Sequence, residues 1–71
     1  MEGSTYRHFK GNLYKILHIG YDSETLKKVV IYQSLSDYKI WVRDYDMFFS
    51  KVDKEKYPDI LQENRFEKVN D

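Results

Sequence analysis

The sequence predicts a mainly β fold: one small half-open antiparallel barrel of about five short strands, with residues 1–71 forming a single domain. Three observations point there. Segments rich in β-branched and aromatic residues alternate apolar and polar positions with a period of two. Short polar turns separate them. A chain of 71 residues with no cysteine allows one core, without disulfide or thiolate–zinc staples, so packing alone must hold it. The 12 aromatic residues, seven of them tyrosine, supply large rings to fill a core that is short of residues.

Residues 1–5 are small and polar and are expected to be flexible. Tyr6 to Asn12 ends in a Gly-Asn turn signal. Leu13 to Tyr21 reads as a long strand, with Leu13, Leu17, Ile19 and Tyr21 on one face and Tyr14, Ile16 and His18 on the other. Gly20 is its expected bend or bulge. Asp22 to Thr25 is a turn, because short polar side chains bond nearby backbone. Lys28 to Leu35 is a second strand, carrying Val29, Val30, Ile31 and Tyr32. After a turn at Ser36 to Tyr38, Lys39 to Arg43 forms a third. There Ile40 and Val42 read as the inside, which leaves Lys39, Trp41 and Arg43 outside. Asp44 to Phe49 breaks the alternation and suits a helical turn, with Met47-Phe48 as a core plug. Phe49 to Val52 is expected as a fourth strand, residues 58–63 as a short helical turn opened by Pro58, and Arg65 to Val69 as the closing strand.

Charge is balanced, with 12 Lys and Arg against 12 Asp and Glu, so there is no excess to draw in a polyanion. It is unevenly distributed: residues 1–43 hold seven basic and four acidic side chains, and residues 44–71 hold five and eight. No apolar run approaches the roughly 20 residues that span a bilayer, and no signal-peptide pattern follows Met1. The expected location is cytoplasmic, with no membrane partner.

Several motifs occur in order: Tyr6-Arg7-His8-Phe9-Lys10-Gly11, Tyr14-Lys15-Ile16-Leu17, Ser23-Glu24-Thr25, Trp41-Val42-Arg43 and Met47-Phe48, with an echo at Arg65-Phe66. In this order and spacing they resemble a small bacterial family catalogued as domain of unknown function 1653. The resemblance implies an SH3-like barrel and no established activity. Asp22, Ser36, Asp44 and Asn64 depart from the family pattern, standing where His, Gly, Pro and Pro are common.

Metal binding has little to build on, since His8 and His18 are the two histidines and no cysteine is present. No cofactor is expected, as the three glycines are scattered and form no phosphate loop. Ser23 lacks the context of a nucleophile, and a barrel this small has little room for a dry pocket, so no catalytic residue is assigned.

The set Arg7, His8, Glu24, Trp41 and Arg43 is the candidate binding site. In one reading, Glu24 pairs with Arg7 or Arg43 and locks one end of the barrel. In the other, Trp41 or a tyrosine is a stacking platform flanked by arginines, suited to nucleic acid or to a peptide. The expected function is thus a non-catalytic SH3-like binding module. The alternatives are a structural or self-associating accessory protein and, less favoured, a small enzyme using His8 and Glu24.

Overall fold

The computed structural model describes residues 2–69. Five antiparallel strands form one open sheet: β1 (Thr5–His8), β2 (Leu13–Tyr21), β3 (Lys28–Ser34), β4 (Ile40–Asp44) and β5 (Phe66–Lys68). A single turn of helix, α1 (Tyr45–Phe48), lies between β4 and β5. The spatial order is β4-β3-β2-β1-β5. The outer strands β4 and β5 do not pair with each other, which leaves the expected barrel half-open. No helix among the described residues is long and apolar enough to cross a membrane.

Three local expectations are corrected. Thr5–His8, read as the approach to a turn, is a strand paired with both β2 and β5. The expected strand at Phe49 to Val52 reduces to an isolated bridge between Lys51 and Asn64. Residues 58–63 form no helix; Pro58 and Asp59 make a turn over which Ile60 N–H reaches the Tyr57 carbonyl at 3.3 Å. The Lys54 ammonium bonds the Ile60 and Gln62 carbonyls and holds this segment as a folded loop. Of residues 1–5, Met1 lies outside the described residues. Gly3 N–H donates to the Ile16 carbonyl, Ile16 N–H donates to that of Ser4, and Thr5 opens β1.

The register of β2 explains which side chains face inward. Ile16 pairs with Tyr32 and His18 with Ile31, so Leu17 is the extra residue of a bulge. That insertion reverses the alternation, and Ile16 and Ile19 both turn to the concave face while His18 turns outward. The bend expected at Gly20 is therefore at Leu17. Gly20 pairs regularly with Val29, and a Cβ there would meet Ile31 Cδ1 at an ordinary 3.7 Å.

The core is built from rings. Tyr6, Ile16, Val30, Tyr32, Phe48 and Phe66 form one buried cluster. Phe48 and Phe66 stack at 3.9 Å with planes 3° apart, and Tyr6 and Tyr32 set their edges against Phe48 at 5.7 and 5.1 Å. Asp44 caps α1 by accepting from Met47 N–H and so brings Phe48 down over the sheet. Phe48 is the plug; Met47 is half exposed, with its sulfur 3.8 Å from Arg65 Nη2.

β4 faces the opposite way from its sequence pattern. Trp41 lies across from Tyr32 and Arg43 across from Val30, and both of those partners are buried. Paired residues in a sheet point to the same face, so Trp41 and Arg43 are inward. Ile40 and Val42 are outward and 60% and 64% exposed.

Candidate functional site

The open side of the concave face, beside the Phe48–Phe66 stack, is a shallow cleft of about 200 Å³ lined by Tyr14, Tyr32, Trp41 and Arg43. Clefts that enclose a drug-sized molecule run to about 300–1,000 Å³, so this one accepts a single planar group or side chain.

Neighbouring strands supply the lining. Tyr14 and Tyr32 meet edge to face at 5.5 Å, and each also meets Phe66 at 5.6 Å. That packing fixes both rings and leaves Tyr14 on the cleft. Arg43 Nε donates to Tyr32 Oη at 3.2 Å, and its guanidinium lies 5.8 Å from the Phe66 ring centre. These contacts hold the guanidinium in place without neutralising it. Trp41 is 48% exposed at the rim.

His8 lies next to this cleft. As Tyr6 is buried, alternation along β1 turns His8 inward as well, with its ring 4.9 Å from Phe66 and 6.3 Å from Tyr14. Its Nδ1 accepts the Lys10 backbone N–H at 3.1 Å. Burial, reinforced by the positive charges of Arg43, Arg65 and Lys10, lowers its pKa from 6.5 to about 4. His8 is therefore neutral at pH 7, with its proton on Nε2. Arg65 Nε donates to Ser50 Oγ at 3.2 Å, which fixes a second guanidinium nearby. Among the described residues, the one ion pair joins His18 to Glu2, so no carboxylate neutralises Arg43, Arg65 or Lys10.

Of the five residues singled out from sequence, His8, Trp41 and Arg43 come together. Arg7 alternates with Tyr6 and His8 on β1 and lies on the outer face, across from Leu13 and Glu67. Glu24 sits in the turn between β2 and β3. Tyr21 pairs with Lys28 beside that turn, whereas Tyr14 pairs with Ser34 at the other end of the hairpin. At about 3.3 Å per residue the two ends are roughly 20 Å apart. Glu24 is thus out of reach of Arg7 and His8, and among the described residues it forms no ion pair with Arg43 either, whose side chain turns instead to Tyr32 Oη. Its own N–H and that of Thr25 bond Asp22 Oδ1 at 2.8 and 3.0 Å, which lowers the Asp22 pKa and commits that carboxylate to the turn. No group of three or more His, Asp or Glu among the described residues is placed to hold a metal.

Sequence reading missed Tyr14, Tyr32 and Arg65 as members of the site. The useful signal was pairing: once β4 is set against Val30 and Tyr32, the inward set on three strands follows.

A family model described as "Protein of unknown function (DUF1653)" matches residues 4–68, a span that includes every residue of the cleft. No curated protein and no solved structure matches the chain.

Proposed function

The chain belongs to this family of unknown function, and we propose that it is a non-catalytic module whose cleft binds single-stranded nucleic acid. The observation that carries this reading is the half-exposed Trp41 ring beside an Arg43 guanidinium that has no acidic partner among the described residues. A base has a flat face to stack on the indole, and its phosphate carries the negative charge that Arg43 and Arg65 lack. The cleft volume suits one base. Zero net charge supplies no long-range attraction, so binding is short-range and of modest affinity. Catalysis has less support, because a His8 whose pKa is held at about 4 is a weak base at pH 7 and the charged groups that act on it are all cations, with no carboxylate among the described residues to orient it.

Trp41 is the single tryptophan, so its fluorescence reports the site directly. Titration with a short oligothymidylate is expected to give saturable quenching that weakens as salt is added, with a shallow slope set by about two phosphate contacts. Arg43→Gln should remove about half of the salt-dependent part. Saturable quenching by a proline-rich peptide, insensitive to salt, with none by the oligonucleotide, would replace this reading with peptide recognition.

A further inference from the structure

The free edge of β4 carries its own recognition pattern. Ser34 N–H donates to the Lys39 carbonyl at 2.9 Å, which sets the phase of the β3–β4 ladder. Trp41 and Arg43 therefore direct their backbone groups toward β3, while Ile40, Val42 and Asp44 direct theirs away from it. Native edges are usually blunted by a charge, a proline, a bulge or a covering segment. On β4 the charges Arg43 and Asp44 stand at one end, while Ile40 and Val42 are apolar and 60% and 64% exposed, and no strand among the described residues pairs with this side.

We infer that β4 pairs antiparallel with β4 of a second copy of this chain, about a twofold axis through Val42. Charge and the turn at Tyr38 select the register. Side chains directly opposite must share a face, so the axis has to pass through a residue. Through Trp41, it would set Lys39 against Arg43; through Arg43 or Asp44, it would set two like-charged groups against each other. Through Ile40, no like charges meet, but Val42 would fall against Tyr38, which is left-handed in the turn and cannot continue the ladder. Through Val42, valine meets valine on the outer face and Trp41 meets Arg43 of the second copy on the concave face, twice over, as cation–π pairs. As in every register whose axis passes through a residue, the outward backbone groups then face one another. The two Val42 residues exchange their N–H and C=O bonds, and each Asp44 N–H reaches an Ile40 carbonyl, for about four intermolecular hydrogen bonds. The clefts of both copies then share one concave surface, with two indoles and two guanidinium groups beside the axis. The backbone bonds and the Val42 contact do not depend on what the cleft binds.

Sedimentation of the full chain across a wide concentration range tests this. The wild type should be a dimer at high concentration. Val42→Lys and Val42→Glu each place like charges across the axis and should weaken dimerisation by about tenfold or more. Both substitutions are at an exposed position, and circular dichroism should show the fold intact. An equimolar mixture of the two variants sets Lys against Glu and should restore the dimer. A wild type that remains monomeric, a Val42→Lys dimer as tight as wild type, or a mixture that stays monomeric would each overturn the inference.

Discussion

The concave face of the sheet has two halves made from the same kinds of residue and put to different uses. In one, Tyr6, Phe48 and Phe66 pack ring against ring and are at most 8% exposed. In the other, Tyr14, Trp41 and Arg43 stand around a cleft. The difference lies in what covers them. The α1 turn drops Phe48 onto the first half and the β5 strand brings Phe66 beside it, whereas β4 extends past that lid at the sheet edge. Aromatic content is thus not a measure of core in this chain, because position relative to one helical turn decides which rings are buried.

The strongest way to break the comparison is to remove the lid. Phe48→Ala deletes a fully buried ring stacked on Phe66 and should cost about 3–5 kcal/mol. A single core of this size rarely supplies more than about that much, so the variant should be unfolded at 25 °C by circular dichroism. Trp41→Ala, an aromatic truncation on the same face, should cost about 1 kcal/mol or less. Equal losses from the two would show that the cleft half is core after all.

That contrast also separates what was legible in the sequence from what was not. Lys28–Ser34 and Ile40–Asp44 show in their β-branched and aromatic residues, and Asp44 ahead of a broken alternation marks the helical turn. The inward face of β4 was misread because amphipathic alternation assigns apolar residues to the inside. Trp41 and Arg43 face an open cleft, while Ile40 and Val42 form an uncovered outer surface, so the usual inference inverts. The bulge at Leu17 was invisible because no glycine or proline marks it; it follows from the requirement that Ile16 and Ile19 both reach the core. His8, Trp41 and Arg43 were legible as residue types that suit a site. Their separation from Arg7 depends on one-residue parity in β1, and that of His8 from Glu24 on the length of the β2–β3 hairpin.

His8 stands at the boundary between the two halves and gives an intermediate effect. Its pKa is about 4 in the fold and 6.5 ordinarily, so between those values the unfolded chain binds a proton that the folded chain refuses. The contribution is complete above pH 6.5, declines as pH falls toward 4 and is constant below that. As the ring is partly solvated, screening reduces it to about 1 kcal/mol. Urea titrations at pH 7 and pH 4.5 should show that loss in the wild type and not in His8→Asn. An equal loss in His8→Asn would assign the slope to other groups.

The smallest expected effect concerns how β4 is held. Both long hairpins close in the same way: Asp22 N–H donates to Lys27 O and Leu26 N–H to Asp22 O, and Ser34 N–H donates to Lys39 O and Tyr38 N–H to Ser34 O. The pattern requires a left-handed residue, and Leu26 at φ 63° and Tyr38 at φ 61° occupy that position, where glycine is at ease. Tyr38 is 69% exposed, so its ring adds little packing. Relief of the left-handed strain exceeds the entropy that glycine adds to the unfolded chain, and Tyr38→Gly should stabilise the fold by about 0.5–1 kcal/mol. Gln33 Nε2 still reaches the carbonyl of residue 38, so the turn keeps its second anchor. A higher urea midpoint with an unchanged Trp41 emission spectrum would show that the hairpin positions β4 independently of the cleft. A shifted spectrum would mean that the turn and the open half are coupled, and that the cleft helps to hold the edge strand in place.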